Sequence, residues 1–135
     1  KTNEPLPLAF TTFTTNMMAG MQRAALKVPA GYFYADSAMI EKEPICLKFN
    51  WHQRGAQNPL ETQPGAIAMA AVGGLVYPWT AAIGMLMWSI GAFGFYLGYK
   101  EDPKKRYSKG GGLLRLGFFV VGGAALAAGV KLVRS

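Results

Sequence analysis

The chain has 135 residues, room for one domain or one set of packed spans and for no second core. Half of its residues are apolar and only 16% are charged, below the roughly 25% of soluble globular chains, and 17 glycines suit membrane helices better than soluble ones. One cysteine, Cys46, excludes an intrachain disulfide, and with one histidine, His52, it makes no metal site, so no metal is expected.

In chain order, the first apolar stretch, Leu6 to Val28, is the weakest, because four threonines, Asn16, Gln22 and Arg23 dilute it. It is expected as a helix packed against protein on at least one side. A loop from Pro29 to about Pro44 follows. Gly65 to Tyr77 then supplies only 13 mostly apolar residues, too few for a hydrocarbon core of ~30 Å at ~1.5 Å per residue. It spans only if the helix extends backward to about residue 47. The stretch Trp79 to Tyr99 is 21 residues without a charge, with Trp and Tyr at its ends as interfacial anchors. Leu113 to Val133 is a further span, with Arg115 and Lys131 close enough to its ends to snorkel. The short Tyr77-Pro78 link demands antiparallel neighbours. Pro103 and the run Gly110 to Gly112 break the chain between the last two spans.

The expected fold is therefore an all-α membrane protein, a four-helix up-down-up-down transmembrane bundle. Its helices lie at about 6–28, 47–77, 79–99 and 112–133 of a single domain, 1–135. Nothing resembles a signal peptide. Both termini share an end with the Tyr77-Pro78 turn, and that end holds only Lys1, Lys131 and Arg134 of the 14 basic residues. By the positive-inside rule, the two longer, basic loops face the cytoplasm, matrix or stroma. The net charge of +7 is thus a topology signal, and no nucleic-acid partner is expected. Membrane lipids are.

The stretch FNWHQRGAQNPLETQP, residues 49–64, places Arg54, Asn58 and Glu61 at spacings of four and three, on one helix face. A polar stripe at membrane depth should face other helices or a water-filled cavity. The structural reading is a buried Arg54–Glu61 pair that fixes packing. The functional reading is a site for a zwitterionic or anionic small molecule, with a cation and amide for carboxylates and a carboxylate for an ammonium. Tyr99 and the cluster Lys104-Lys105-Arg106 lie near the same membrane surface.

FNWHQRGAQNPLETQP, GLVYP and FGFYLGYKEDPKKR together resemble the MAPEG family, the membrane-associated proteins in eicosanoid and glutathione metabolism, nearest the microsomal glutathione S-transferase type three branch. The resemblance runs from about Phe49 to Arg106, with a weaker extension to both ends. It implies a homotrimer of four-helix subunits with glutathione as substrate, bound between neighbouring subunits near one membrane face. By position, Arg54, Asn58 and Glu61 would hold the peptide's charged and amide groups, Tyr99 would line the site, and Arg23 would add a basic contact. Arg106 would be the catalytic residue that stabilises the thiolate. A guanidinium suits that task because it stays charged and lowers the pKa of a thiol that is otherwise mostly protonated at neutral pH.

This sequence departs from the family pattern at four positions. Thr62 and Phe95 stand where tyrosines are common, Ala92 where a basic residue often occurs, and Ala24 where a second arginine often follows Arg23. Each change removes a polar contact worth on the order of 1.5–3 kcal/mol when made to a charged group. Tyr96 lies about 100° around the helix from Phe95.

Two functions from different classes follow. One is a glutathione-dependent transferase or peroxidase with a partly degraded site. The other is a non-catalytic accessory subunit of an organellar membrane complex, mitochondrial respiratory or thylakoid, bound to unrelated membrane subunits. The sequence begins at Lys1 and not methionine, so it is processed or incomplete. Removal of a targeting peptide would favour a mitochondrial or plastid membrane over the endoplasmic reticulum. Small-residue patterns at Gly94 to Gly98 and Gly123 to Ala127 permit close helix packing in either setting.

Overall fold

The computed structural model describes the backbone of residues 5–135 and side chains from Phe10 onward; Lys1 lies outside the described residues. Helix α1 runs Pro5–Met21, α2 Ser37–Lys42, α3 Cys46–Gly74, α4 Pro78–Tyr99 and α5 Gly112–Arg134, with a 3₁₀ turn at Pro103–Lys105. Four long helices and one short surface helix make an all-α membrane bundle. Two of them, α4 and α5, are long and apolar enough by themselves to cross a membrane.

Helix α4 is the hub, packing against α1, α3 and α5, while α1 also rests on α3. The α4–α5 seam is a backbone-to-backbone contact made possible by glycine. A Cβ on Gly91 would lie 1.8 Å from the Leu114 amide nitrogen, and one on Gly117 would lie 2.4 Å from that of Trp88. Small residues let helices approach where hydrocarbon supplies no hydrophobic drive, so van der Waals packing carries the association. Trp88, Ala92, Phe95 and Val121 fill the buried space beside this seam. Gly94 and Gly98 meet the carbonyls of Lys109 and Lys105, which folds the loop back against the end of α4. In the Gly123 to Ala127 stretch, Gly123 itself faces open space, but a Cβ on Gly73 of α3 would lie 3.0 Å from the Ala124 Cβ and from the Ala125 amide nitrogen, so this stretch packs closely against α3.

Two polar side chains of α1 bond to its own backbone, while the Thr12 hydroxyl is buried without a hydrogen-bond partner among the described residues. Thr15 Oγ1 donates to the Thr12 carbonyl at 3.2 Å and Asn16 Nδ2 to the same carbonyl at 2.9 Å, so these side chains enter a protein interface already bonded. The helix ends at Met21, earlier than residue 28. A series of turns follows, closed by a bond from the Val28 amide to the Arg23 carbonyl at 3.0 Å. Lys27 sits there in the left-handed region at φ 57°, the geometry of a helix-terminating turn.

Helix α3 is 29 residues long and carries Pro59 and Pro64 in its interior. Proline removes a helix hydrogen bond and crowds the preceding turn, yet spanning helices tolerate it when neighbours cover the gap. Pro59 is fully buried, so neighbouring helices enclose the first of these breaks. At ~1.5 Å per residue α3 measures about 43 Å, some 13 Å longer than the hydrocarbon core. Its N-terminal turns therefore project past the membrane surface and carry the loop-packing residues Cys46 and Phe49. At the other end, α3 stops at Gly74, and three residues separate it from Pro78, which opens α4 at its first position, where the missing amide hydrogen is no loss.

Candidate functional site

The site lies on α3 just inside its projecting end. Arg54 and Glu61 are seven residues apart, two turns and about 10 Å along the axis. Their side chains bridge that distance, with Arg54 Nη1 donating to Glu61 Oε1 at 2.8 Å. Asn58, one turn from each, is half-buried between them. Glu61 has thus found its cation. The stripe is not covered by its own chain, however, because the Arg54 and Glu61 side chains remain 41% and 47% exposed.

Tyr99 reaches this region from the last residue of α4. A Cβ on Gly55 would lie 3.2 Å from the Cβ of Tyr99, so the glycine beside Arg54 is what lets α4 deliver its terminal tyrosine there. The ring of Tyr99 packs on Phe95 with centroids 5.5 Å apart, and Phe95 in turn meets Tyr107 edge-on at 5.9 Å. The loop ring therefore continues an aromatic wall that starts at Tyr99.

Two further residues belong to the cluster and were not singled out from the sequence. The Tyr34 hydroxyl hydrogen-bonds the side-chain carbonyl of Gln57 and interacts with the Arg54 guanidinium. Burial pushes the Tyr34 phenol above its ordinary value, and Arg54 opposes that rise without cancelling it. Gln57 carried a usable signal, since it lies three residues after Arg54 and four before Glu61 on the same face. Tyr34 carried none. It arrives through the loop, which Asn50 of α3 grips by both polar backbone atoms of Ala35.

The other two candidate cations make their bonds elsewhere. Arg23 donates to the carbonyls of Pro29 and Tyr32, the first at 3.0 Å, and stacks over the Phe49 ring at 4.6 Å. Its observed partners are the turn after α1 and the projecting end of α3. Arg106 is exposed on the loop after the 3₁₀ turn, over the Tyr107 ring at 5.3 Å, with a long 3.4 Å bond to the Pro103 carbonyl. Tyr96 is fully buried on another side of α4, its hydroxyl 2.9 Å from His52 Nδ1. It is therefore not available to stand in for Phe95. The arrangement offers a cation, two amides, a carboxylate and two phenols at one open edge of the bundle, a donor and acceptor set for a zwitterionic ligand. Among the described residues no group of acidic, histidine and cysteine side chains is placed to hold a metal ion. The profile of the MAPEG family matches residues 6–130, nearly the whole chain, and the protein belongs to that family of helical membrane proteins.

Proposed function

We propose that the protein is a glutathione-dependent transferase or peroxidase of the microsomal glutathione S-transferase type three kind, with glutathione bound at the Arg54 stripe between subunits of a homotrimer. The observation that carries this reading is the Arg54–Glu61 pair, which is joined and yet nearly half exposed on a spanning helix. Opposite charges left against acyl chains are expensive, and such groups are expected to face protein or a wet cavity. A neighbouring subunit supplies that cover. In the covered site Arg54 pairs with a peptide carboxylate, Glu61 with the α-ammonium, and Asn58 and Gln57 with the amides. Tyr99 lines the site, with Arg23 as an outer basic contact.

The chemistry asked of the site is modest. Deprotonating a thiol of pKa near 8.5 at pH 7 costs roughly 2 kcal/mol, and a guanidinium beside the sulfur offsets that. Arg106 takes this role from its exposed side chain on the loop rim, assisted by a neighbouring subunit's surface. The thiolate sulfur then forms a bond to an electrophilic carbon, whose leaving group departs with the bonding pair. In the peroxidase variant the thiolate attacks the terminal hydroperoxide oxygen, an S–O bond forms as the O–O bond breaks, and the alkoxide leaves as the alcohol on taking a proton. A second glutathione thiol then reduces the sulfenic acid to the disulfide with release of water. A mitochondrial or plastid membrane is the favoured location, with the endoplasmic reticulum as the alternative.

A second reading, a non-catalytic accessory subunit of a mitochondrial respiratory or thylakoid complex, is favoured by a specific observation. Arg23 is engaged by two loop carbonyls and Arg106 rests on Tyr107, while Phe95 presents no hydroxyl beside Tyr99. Ultraviolet difference spectra of the protein with saturating glutathione separate the two. The enzyme gives thiolate absorbance that Arg106→Ala removes. No thiolate signal in the wild type, together with isolation of one copy among unrelated subunits, would establish the accessory role instead.

A further inference from the structure

We propose that the end of the bundle opposite the Arg54 stripe is a binding site for a phospholipid with two acyl chains and an anionic headgroup. It does not depend on what the Arg54 stripe binds. A groove of about 590 Å³ lies between Tyr77, at the turn before α4, and the last turns of α5, with Lys131 and Arg134 on its rim. The Lys131 ammonium stands 5.9 Å above the Tyr77 ring, which fixes a cation at interfacial depth. Lys131 and Arg134 are one turn apart on α5 and so face the same phosphate. Among the described residues no Asp or Glu side chain lies at this end to neutralise them; the nearest along α3, Glu61, is already paired and about 20 Å away along the axis.

Two apolar grooves leave this basic mouth along opposite flanks of α5. One, of about 390 Å³, passes Thr80, Phe119, Val120 and Gly123 and shares Tyr77 and Ala127 with the mouth. The other, of about 490 Å³, passes Leu126, Gly129 and Val133 and shares Val130 and Arg134 with it. Gly123 in one and Gly129 in the other have nothing within 4 Å of a built Cβ. They leave open space and are not helix contacts, unlike Gly91 and Gly117 of the same seam. The first groove's lining on α5 runs from Phe119 to Ala127, about 12 Å of helix, most of the ~15 Å of one leaflet's hydrocarbon. Two apolar channels meeting at one dicationic head pocket match the shape and charge of a diacyl anionic lipid. A phosphodiester accepts from the Arg134 fork and from Lys131 at once.

Tryptophan fluorescence in vesicles tests this, because Trp79 is exposed two residues from Tyr77. The full chain is reconstituted in phosphatidylcholine containing a minor fraction of bromine-labelled phosphatidylglycerol or bromine-labelled phosphatidylcholine. The Trp79 signal is identified by its loss in Trp79→Phe. The expected result is at least about twofold stronger quenching by the anionic lipid, abolished by Lys131→Gln with Arg134→Gln. Gly129→Leu, which fills one channel and leaves both charges, should weaken the preference as well. Equal quenching by the two lipids in the wild type overturns the proposal, as does a preference that survives the double glutamine variant. Loss of the preference on adding soluble glycerophosphate would assign the pocket to a free phosphate and also overturn it. An unchanged preference in Gly129→Leu would refute the two-chain assignment.

Discussion

The Asn50 carboxamide holds both polar backbone atoms of Ala35, accepting from its amide at 2.7 Å and donating to its carbonyl at 2.9 Å. This mimics a strand pair and pins a loop to a helix fifteen residues later. Tyr34, one residue before the clamp, is thereby held against Gln57 and Arg54. Asn50→Ala leaves the two Ala35 groups without these partners, and we expect a loss of about 1–3 kcal/mol. Hydrogen exchange over residues 30–36 should accelerate, and the Tyr34 phenol should titrate closer to its ordinary value as it loses burial. Unchanged exchange in that segment would show that the clamp does not hold the loop.

The raised Tyr34 value has a definite sign. Above the ordinary tyrosine range the unfolded chain has released a proton that the folded chain keeps, so the folded state binds more protons. Stability contributed by Tyr34 is present below that range and lost as pH rises through the folded value. Tyr34→Phe should remove this part of the alkaline slope in thermal unfolding, and an identical slope in the variant would contradict it.

Glu61 tests whether the half-exposed pair is covered in the assembled protein. An exposed ion pair contributes about 0–1 kcal/mol, whereas removing one partner of a buried pair costs about 3–5 kcal/mol. We expect Glu61→Ala in native-like bilayers to show the larger loss together with dissociation of the proposed homotrimer. A loss under about 1 kcal/mol with the assembly intact would mean that nothing covers the stripe.

How far the sequence disclosed this arrangement depends on the range of each interaction. Helix α4 was readable because a charge-free run of spanning length has few alternatives, and α5 because its Arg115 and Lys131 lie close enough to the ends to snorkel. The Arg54, Asn58 and Glu61 face was readable from spacing alone, since helical period fixes who shares a side. Which way that side points was not, because Arg54 and Glu61 turn outward and only tertiary packing decides that. The turns that follow the early end of α1 close through Lys27 in a left-handed conformation, which a lysine does not advertise. The six-residue α2, capped by the Asp36 side chain on the Met39 amide at 2.8 Å, lay inside a segment read as loop. Tyr34 depends on closure of a loop by Asn50, a contact that no local pattern encodes.

On the basic-loop side, Lys109 donates a hydrogen bond to Glu101, and this lowers the Glu101 carboxyl below its usual range, with nearby Lys109, Lys105 and Lys100 charges adding to the effect. A depressed carboxylate contributes stability above its unfolded value, and loses it as pH falls through the folded one. Both groups are exposed, so the effect on unfolding should be small and salt-sensitive. Carboxyl NMR titration should place Glu101 below an ordinary glutamate, and Lys109→Gln should move it back up. No movement in that variant would remove Lys109 as the cause.

The last expectation separates the glycines that build the bundle from those that face outward. At Gly91 an added methyl would stand 1.8 Å from the Leu114 nitrogen and 2.5 Å from the Leu113 carbonyl carbon. Both are backbone atoms of a packed helix and cannot rotate aside. Gly91→Ala must therefore push α4 and α5 apart, and overpacking of this kind costs about 1–3 kcal/mol and occasionally more. Its position against backbone on the most extensive seam puts it at the upper end. Gly123→Ala meets nothing within 4 Å, and replacing a mid-helix glycine by alanine should instead stabilise by up to about 1 kcal/mol. Thermal unfolding of both variants in the same detergent reads the contrast directly. Equal midpoints would show that α4 and α5 do not meet through the Gly91 contact.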